Sequence, residues 1–558
     1  MAGNLMIQGT MSGAGKSILT AGILRVLRQD GYRAAPFKSQ NMALNSFVTA
    51  DGLEMGRAQV VQAAAAGLPP SADMNPILLK PMGDTTSQVI VNGKPIGKMR
   101  AADYYRVKKS LVPDILAAYN RLREKADVIV IEGAGSPVEI NLREGDFVNM
   151  GLAEMVDAPV LLVGNIDPGG VFAQLLGTVQ LMRPEERARV KGLIINKFRG
   201  DVGLLEPGLS MFREYCDIPF AGVVPWVKLS LDEEDSMSER LSGKGNAAPV
   251  GSASARSAAA GISDPEGTVD IAVIRLPYLS NYTDFAPLEA SAGVSVRYVP
   301  EVSSLGNPDL IILPGTKNTL GDLRWLRESG LADRIDALVG SPGQSDRSDG
   351  PAGSPSHSAL LMGICGGYQM LGRRIRDPLG SEAGGSAEGL GYLPVETVFG
   401  SEKYTRQRGG KTLRLPGIWA PLSLLPVSGY EIHMGETEYL GGETEEAGAF
   451  SELGGTRTTD GAVRGNVLGT YLHGLFDEPV LRGALLKMLR DRKRAGAPEA
   501  GAAEDFGPGE GHESALKWQD GELESALKRQ DRELDRLAEV LRRSLDWELI
   551  YRAIREKR

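Results

Sequence analysis

The most reactive side chain in this sequence is a cysteine between an apolar segment and a predicted helix. Cys365 lies within LMGICGGYQMLG, residues 361–372. A strand that turns sharply into a helix exposes the sulfur of such a residue, and the helix N-terminus favours its thiolate form. Cys365 is therefore predicted to be a nucleophile rather than a buried structural cysteine. Cys216 has no such context and is interpreted as structural.

A thiolate nucleophile needs a base, for which histidine is the usual residue. Of the four histidines, His357 and His512 lie in polar segments of low complexity. His433 in GYEIHMG and His473 in GTYLHGLF remain. The residues by themselves leave both candidates open.

A second chemical motif lies close to the start of the chain. The sequence GTMSGAGKS, residues 9–17, follows a short predicted strand, Leu5–Gln8, and opens a predicted helix, Ile18–Gln29. In such a loop the glycines let backbone N–H groups surround phosphate oxygens, the lysine contacts the terminal phosphates and the serine hydroxyl ligates Mg²⁺. The residues predicted to bind ATP here are Gly9, Thr10, Gly13, Gly15, Lys16 and Ser17.

A carboxylate is expected next to a Mg·ATP site. Glu132 ends the apolar run DVIVI, residues 127–131, and precedes Gly133. Because ligands bind at the carboxyl ends of parallel strands, Glu132 is predicted to be a metal ligand along with Ser17. The alternative is a surface carboxylate at a strand end.

The elements that must position these groups belong to the α/β class. Residues 1–236 alternate short β-branched runs with helical segments, which predicts a parallel sheet and an ATP-binding domain. A Ser-, Ala- and Gly-rich linker is predicted at 237–268, and a second α/β domain at 269–491. Residues 492–558 are predicted to hold a loose segment and a C-terminal helix.

The C-terminal helix has leucines on one predicted face, at positions 523, 527, 534, 541 and 545. Such a face either docks on the helix's own protein or binds a partner. The first interpretation is favoured.

Composition restricts the setting of these sites. The formal net charge of the 558 residues is −9, which disfavours binding to nucleic acid or to acidic membranes. No apolar run is long enough to span a bilayer. Two cysteines exclude a disulfide framework and indicate a reducing compartment, so the expected location is the cytoplasm. The oligomeric state is not predictable from these features.

Residues 1–236 resemble the dethiobiotin synthetase group of ATP-dependent carboxylate-activating enzymes. The segments that carry the resemblance are GTMSGAGKS, GYRAAPFKS (31–39), VIEGAGS (130–136), INK (195–197) and VPW (224–226). The resemblance implies that Lys38 holds phosphate or the activated carboxylate, that Glu54 and Glu132 bind the metal, and that Asn196 lies near the adenine base.

Residues 269–491 resemble the class I glutamine amidotransferases. The resemblance implies that His473 is the base for Cys365, and that Gly315, in PGTK (314–317), and Gly366 form the oxyanion and glutamine site. One such backbone donor is worth about 3–4 kcal/mol to catalysis.

This second domain departs from the family pattern after its histidine. Most members have a glutamate two residues beyond it, where this chain has Leu475. The expectation is a weaker Cys–His dyad, with Glu431 as a candidate to orient His473.

The two domains joined in one chain resemble the cobyric acid synthases. The most specific segments are KSQNMALNSFVT (38–49), MNPILLKP (74–81), NIDPGGVFAQL (165–175), LPGTKNTLGDLRWLR (313–327) and VSGYEIHMGET (427–437). The resemblance implies that ATP and glutamine drive amidation of the b, d, e and g carboxylates of a corrinoid, adenosylcobyrinic acid a,c-diamide. Pro168 stands where the family has an arginine.

Two other functions remain open at this point. A cobyrinate a,c-diamide synthase would have the same domains but would amidate two other carboxylates. An ATP-dependent switch or scaffold belongs to a different class, and related switch ATPases carry an additional lysine where this chain has Met11. Met11 and the Cys365 motif favour an enzyme.

Overall fold

The structure, a computed structural model, describes most of the chain as two compact units. It describes residues 3–82, 85–229, 231, 268–340, 358–382, 384–440, 447–454, 459–495 and 525–555. The first unit holds the described residues up to 231 except 50–52, together with those from 527 onward, and the second holds the rest. The predicted linker up to residue 267, the polar insert at 341–357 and the segment at 496–524 lie outside the described residues.

The first unit is built on a parallel sheet, as the alternation of strands and helices predicts. Its strands are β1 Gly3–Gly9, β2 Ala34–Phe37, β3 Gln40–Met42, β4 Ser46–Val48, β5 Glu54–Gly56, β6 Ile77–Pro81, β7 Thr86–Val91, β8 Lys94–Arg100, β9 Val128–Glu132, β10 Val160–Asn165, β11 Val190–Phe198 and β12 Phe220–Pro225. The main sheet has the order β12-β11-β10-β1-β9-β2, and all of its neighbouring pairs are parallel. Smaller sheets are formed by β3-β6-β7-β8 and β4-β5.

Helices cover both faces of the main sheet. The helices of the first unit are α1 Lys16–Gln29, α2 Arg57–Ala66, α3 Ala101–Val107, α4 Val112–Arg123, α5 Met150–Met155, α6 Val171–Leu181, α7 Pro184–Arg187 and α8 Glu206–Phe212. Side chains of α1 and α2 pack in one apolar cluster and side chains of α4, α5, α6 and α8 in another. The strands between them are buried on both sides, which explains their continuous apolar runs.

The second unit holds a mixed sheet and a long hairpin. Its strands are β13 Val269–Ile274, β14 Val294–Val299, β15 Leu310–Leu313, β16 Leu360–Ile364, β17 Arg374–Asp377, β18 Gly385–Glu388, β19 Val395–Thr412, β20 Pro426–Tyr439, β21 Ala447–Gly448, β22 Ser451–Leu453, β23 Thr459–Asp460, β24 Ala462–Arg464 and β25 Val467–Thr470. One sheet has the order β14-β13-β15-β16-β25-β24-β21, with its first five strands parallel. The other has the order β18-β17-β19-β22-β23, and β20 pairs with β19.

The helices of the second unit follow its strands as in the first. They are α9 Ala286–Glu289, α10 Thr319–Glu328, α11 Leu331–Val339, α12 Gly366–Leu371 and α13 Pro479–Ala495. Short 3₁₀ helices span, across both units, Ala72–Met74, Lys108–Leu111, Val202–Leu204, Tyr282–Phe285, Val302–Ser304, Gly417–Leu422 and Leu475–Asp477.

Two C-terminal helices, α14 Ser525–Ser544 and α15 Trp547–Arg555, pack on the first unit. Leu534, Leu541 and Leu545 of the predicted apolar face are buried there, whereas the side chains of Leu523 and Leu527 lie outside the described residues. Their neighbours include the α1–α2 cluster and the face of β10–β12. The helix therefore docks on its own chain, and it completes one helical layer on the main sheet of the first unit.

Within the described ranges, no helix combines the length and the apolar composition that a bilayer crossing requires.

Candidate active sites

Cys365 occupies a strained turn between β16 and α12. Its backbone has φ 51° and ψ −107°, in a region that residues other than glycine rarely adopt. The turn is possible because Gly363 and Gly367 flank it. A Cβ on Gly367 would lie 1.9 Å from the Leu313 carbonyl oxygen, and one on Gly363 would lie 2.6 Å from Leu371. The sequence prediction of a nucleophile elbow at Cys365 agrees with this geometry.

His473 lies close enough to this cysteine for the sulfur to raise the pKa of the imidazole. The thiol itself donates to the Ile432 carbonyl oxygen at 3.8 Å. It follows β25, the strand adjacent to β16. The Tyr430 ring stacks on the imidazole at 5.4 Å between ring centroids. The backbones of the two residues exchange hydrogen bonds of 2.9 and 3.0 Å. The candidate base is therefore fixed through both its ring and its main chain.

Asp284 supplies a third member that the sequence analysis did not find. Its Oδ2 lies 2.7 Å from Nδ1 of His473, and its Oδ1 accepts a 3.0 Å hydrogen bond from the N–H of Gly474. Asp284 is 4% exposed and lies in the 3₁₀ helix Tyr282–Phe285. Asp284 and His473 are separated by 189 residues. No local spacing links two residues so far apart in sequence.

The carboxylate determines the charge of the histidine. Burial by itself lowers the pKa of His473, but Asp284 and the Cys365 sulfur outweigh it and raise this pKa to about 9. The imidazole is consequently held as a cation beside the sulfur at neutral pH. A protonated imidazole beside the sulfur is placed to give its proton to a departing group.

The expectations for Glu431 and for a dyad are wrong. The Glu431 carboxylate forms a buried ion pair with Arg408, with Oε2 2.9 Å from Nε, and so does not orient His473. Leu475, at the usual glutamate position, is 1% exposed and packs in the apolar core. His433 donates from Nδ1 to the Gly435 carbonyl oxygen at 2.7 Å and stacks on Tyr471. Asp284, rather than a glutamate at position 475, therefore orients the His473 ring.

The predicted oxyanion loop lies against the His473 side chain and against Gly366, the residue after Cys365. A Cβ on Gly315 would lie 2.8 Å from Cε1 of His473, and a Cβ on Gly366 would lie 2.6 Å from Cγ2 of Thr316. Asp322 supports the loop from behind by accepting hydrogen bonds from the Thr316 hydroxyl and, at 3.2 Å, from the Tyr278 N–H. Burial raises the pKa of Asp322 to about 7. The structure thus brings Gly315 and Gly366 together with Cys365 and His473.

In the first unit, the loop between β1 and α1 has the shape of a phosphate-binding loop. Gly13 and Gly15 have φ of 74° and 90°, which lets the chain turn its N–H groups inward. The Lys16 ammonium donates to the carbonyl oxygens of Met11 and Gly135, each at 3.2 Å. The lysine is therefore held over the mouth of the loop.

The other predicted ATP-binding residues of this loop also lie within it. The Thr10 hydroxyl is bonded to Gln174 at 3.2 Å. A Cβ on Gly9 would lie 2.9 Å from the Cβ of Ala14, so the loop closes against its own first glycine.

Glu132, at the carboxyl end of β9, contacts two of the predicted groups and one further side chain. Its Oε1 lies 2.8 Å from the Ser17 hydroxyl and 2.8 Å from the Lys38 ammonium, and its Oε2 accepts from Gln62 at 2.5 Å. Lys38 and Glu132 are both buried. Ser17, Lys38 and Glu132 therefore form one cluster beside the loop, and Gln62 is a member that the sequence analysis did not identify.

Glu54 and Asn196 have different surroundings. Glu54 forms a buried ion pair with Lys80, with 2.5 Å between Oε1 and Nζ, so its assignment as a metal ligand stays a prediction. The Asn196 amide donates to the Ala14 carbonyl at 2.9 Å. A Cβ on Gly15 would lie 2.2 Å from the same nitrogen. Asn196 thus contacts the loop itself, and its position relative to the adenine base stays a prediction.

Comparison with known families agrees with both halves of this geometry. Residues 5–238 match the CobQ/CobB/MinD/ParA nucleotide binding domain. Residues 270–344 and 355–480 match the CobB/CobQ-like glutamine amidotransferase domain. A nucleotide-binding domain joined to a glutamine amidotransferase domain defines the class of this protein, a glutamine-dependent amide-forming ligase.

Full-length relatives identify the family within that class. The cobyric acid synthase of Lachnoclostridium phytofermentans is 51% identical over 508 residues, which cover 88% of this chain and 91% of the relative. That of Ruminiclostridium cellulolyticum is 47% identical over 560 residues, covering 100% and 98%. That of Photorhabdus laumondii is 45% identical over 563 residues, covering 100% and 98%. The chain belongs to the cobyric acid synthase family and acts in amidation in cobalamin biosynthesis.

Proposed function

We propose that this enzyme converts adenosylcobyrinic acid a,c-diamide to adenosylcobyric acid by amidating its b, d, e and g carboxylates. Each amidation uses one ATP and one glutamine. Glutamine is hydrolysed in the second unit, and the acceptor carboxylate is activated by phosphorylation in the first. The proposed location is the cytoplasm, where the two free cysteines stay reduced.

The glutamine reaction follows from the Cys365–His473–Asp284 contacts. The Cys365 thiolate attacks the amide carbon of glutamine, and N–H groups of the loop at Gly315 and of Gly366 stabilise the oxyanion that forms. His473 gives its proton to the departing ammonia. Water, deprotonated by the then neutral His473, attacks the glutamyl thioester, and its collapse releases glutamate and restores the thiolate beside a protonated His473. Asp284 keeps the ring oriented and stabilises its cationic form.

The residues of the first unit fit Mg²⁺ and ATP. Hydroxyl and carboxylate oxygens are the donors that Mg²⁺ prefers, and Ser17 and Glu132 present them 2.8 Å apart beside the phosphate-binding loop. Bound there, Mg·ATP supplies the phosphoryl group for the acceptor carboxylate. Lys16 and Lys38 place two cations around the position of the phosphates, which stabilises charge transferred between oxygens.

The acceptor carboxylate, once phosphorylated, has a leaving group that ammonia displaces. Ammonia must reach it unprotonated, because ammonium has no free electron pair for attack. This requirement explains why both reactions are carried by one chain.

The observation that carries the proposal is the catalytic arrangement at Cys365, His473 and Asp284, in a chain that also has the Ser17–Lys38–Glu132 cluster. The test measures ADP release with glutamine, with and without the corrinoid a,c-diamide, and follows the corrinoid by mass spectrometry. Four successive replacements of OH by NH₂ are expected. Two replacements on unamidated cobyrinate would instead identify an a,c-diamide synthase, and no replacement on either corrinoid would refute both assignments.

A further inference from the structure

One segment of the first unit concentrates positive charge outside the phosphate-binding loop. Residues 94–109, which form β8, α3 and the start of the following 3₁₀ helix, hold six Lys and Arg residues and one acidic residue. The chain as a whole has more Asp and Glu residues, 71, than Lys and Arg residues, 62. A local excess of cations in an acidic protein favours an anionic partner at this surface.

Lys108 differs from the other cations of this segment because it is buried, at 9% exposure. Its ammonium lies over the rings of Tyr105 and Phe147, 4.6 and 5.9 Å from their centroids. Among the described residues Lys108 forms no ion pair, whereas the neighbouring Lys109 is paired with Glu144 at 2.7 Å. Buried lysines are normally paired with an anion, so an anionic ligand would complete this site.

The charges around Lys108 do not replace such a ligand. Burial lowers the pKa of Lys108, Asp146 and Glu144 oppose this without cancelling it, and Lys109 lowers the pKa further. The Asp146 carboxylate already accepts hydrogen bonds of 2.8–3.0 Å from three N–H groups of the backbone that follows it. A bound anion would therefore stabilise the charged form of Lys108.

Phe147 connects Lys108 to the Ser17–Lys38–Glu132 cluster. Its carbonyl oxygen accepts a 2.7 Å hydrogen bond from the hydroxyl of Ser39. Ser39 directly follows Lys38, whose ammonium lies 2.8 Å from Glu132. The ring under the Lys108 ammonium and the carbonyl that holds this backbone thus belong to one residue, and Lys108 lies beside the segment that carries Lys38.

Helix α3 is attached to the same segment. The Tyr104 hydroxyl donates to the side-chain oxygen of Gln40, the first residue of β3. Strands β3 and β8 form the two edges of the sheet β3-β6-β7-β8. Neighbouring strands are about 4.8 Å apart, so β8 lies about 14 Å from β3. This distance suits a large acceptor better than a single small carboxylate.

Apolar side chains accompany the cations of this segment. Ile96 is 49% exposed, Tyr105 46% and Val107 38%. Arg100, at the N-terminus of α3, is also exposed. A surface that combines exposed apolar groups with cations fits a molecule that is itself both apolar and anionic.

A corrinoid acid has this chemistry, because it combines a large, mostly apolar ring with several carboxylates on its edge. We propose that Lys108 binds a carboxylate of the corrinoid acceptor other than the one being activated, while the surrounding face of α3 and β8 holds the ring. This inference rests on the proposed function and assigns acceptor-binding residues to it. Each amidation removes one negative charge, so the attraction weakens as the acceptor approaches the final product.

The test measures amidation by the full-length enzyme with the corrinoid a,c-diamide as the varied substrate. Lys108→Gln is expected to raise KM for the corrinoid about 10- to 100-fold with a smaller change in kcat, because a buried charge pair is lost. KM for ATP and the glutaminase activity are expected to stay at their wild-type values. A merely structural role would change KM for ATP as well.

Three further variants complete the comparison. Lys108→Arg keeps the charge and is expected to give a KM for the corrinoid between those of the wild type and Lys108→Gln. Arg100→Gln changes an exposed residue and is expected to raise this KM only about 2- to 5-fold. Lys125→Gln is the matched control, because Lys125 is exposed and precedes β9, whereas Glu132 lies at the opposite end of that strand. It is expected to change nothing.

Ionic strength provides a measurement that needs no variant. Raising it from about 0.05 M to about 0.5 M is expected to raise the wild-type KM for the corrinoid several-fold, because exposed charges are screened. KM for glutamine, which has no net charge, serves as the reference and is expected to change less. The effect of salt on KM for the corrinoid is expected to be smaller in Lys108→Gln.

The inference is overturned if Lys108→Gln leaves KM for the corrinoid unchanged, or raises KM for ATP to the same extent. If Lys108→Gln does not fold, an unchanged KM in Arg100→Gln together with a salt-independent KM in the wild type overturns it. In these cases the wild-type enzyme still amidates the corrinoid, and the proposed function stands. If the wild-type enzyme does not amidate the corrinoid, the proposed function fails and this inference fails with it.

Discussion

The nucleophile turn at Cys365 and the phosphate-binding loop at Gly9–Ser17 solve related problems in different ways. Both connect the carboxyl end of a buried parallel strand to the N-terminus of a helix. The phosphate-binding loop takes its left-handed conformations at Gly13 and Gly15, where they cost little. The nucleophile turn takes one at Cys365, with φ 51°, where it is strained.

The difference follows from which atoms bind or attack the substrate. Phosphate is bound by backbone N–H groups, so a residue without a side chain suits the loop best. Glutamine is attacked by a sulfur atom, so the strained position itself must carry a side chain. The glycines are found at the neighbouring positions, Gly363, Gly366 and Gly367. Strain is accepted where a side chain is indispensable and avoided where the backbone is enough.

The largest expected effect is from removing the sulfur. Cys365→Ser leaves the turn in place but replaces the thiolate by a weak nucleophile, and glutaminase activity is expected to fall about 10⁴-fold or more. Amidation driven by added ammonium salts is expected to persist, because that reaction bypasses the turn. Ammonia release and corrinoid mass spectra measure the two activities; comparable loss of both would contradict the separation of the sites.

The next effect concerns Asp284, the carboxylate that orients the catalytic histidine. Asp284→Asn is expected to lower glutaminase kcat about 10²- to 10⁴-fold, because the imidazole loses its orientation and the stabilisation of its charge. The exposed Asp333→Asn serves as a control. A variant with unchanged kcat would exclude Asp284 from the catalytic arrangement.

The same variant gives a pH prediction with a defined sign. Asp284 and Cys365 raise the pKa of His473 to about 9, so the imidazolium is lost only as the pH rises through that value. Without Asp284 this pKa falls, and the alkaline limb of the kcat/KM profile is expected to move to lower pH. A limb that stays in place would show that the carboxylate does not act on His473.

A third effect is on the stability of the first unit, where α14 packs on α1, the helix that follows the phosphate-binding loop. Leu541 of α14 is fully buried against α1, where a Cβ on Gly22 would lie 2.4 Å from its Cδ1. Leu541→Ala is expected to lower the free energy of unfolding of the first unit by about 2–5 kcal/mol. Leu204→Ala, at a position that is 83% exposed, is the matched control. Denaturant unfolding measures both, and equal values would contradict docking of the C-terminal helices.

The smallest expected effect tests the need for glycine at Gly15 in the phosphate-binding loop. At Gly15 φ is 90° and a Cβ would lie 2.2 Å from the Asn196 amide nitrogen, so Gly15→Ala is expected to lower ADP formation about 10- to 100-fold. Gly31 has φ 87° with nothing within 4 Å, and Gly31→Ala isolates the strain from the contact. Glutaminase activity is expected to be unaffected by either change. Equal ADP formation in both variants would show that the Asn196 contact is unimportant.

Sites formed by residues that are close together in the sequence are predicted well. The strand and helix predicted at Leu5–Gln8 and Ile18–Gln29 are present as Gly3–Gly9 and Lys16–Gln29. The phosphate-binding loop and the nucleophile turn depend on residues a few positions apart, and both are recognisable as motifs.

Groups that meet across the fold were predicted poorly. Nothing in the sequence distinguishes Asp284 from Glu431 as the partner of His473, because a lone carboxylate belongs to no recognisable motif. The β19–β20 hairpin pairs Glu431 with Arg408, while the 3₁₀ helix at 282–285 carries Asp284 to His473. Lys80 was likewise not foreseen as the partner of Glu54.

The sequence by itself determined the two chemical motifs, the α/β class and the family, because each depends on local spacing and strand–helix alternation. Only the tertiary structure decided that the Cys365–His473 pair has a third member, that the last helices complete the first unit, and that Glu132 joins Ser17 to Lys38. The physical reason is that hydrogen bonds and charges act over a few ångströms in space, regardless of how many residues separate the partners along the chain.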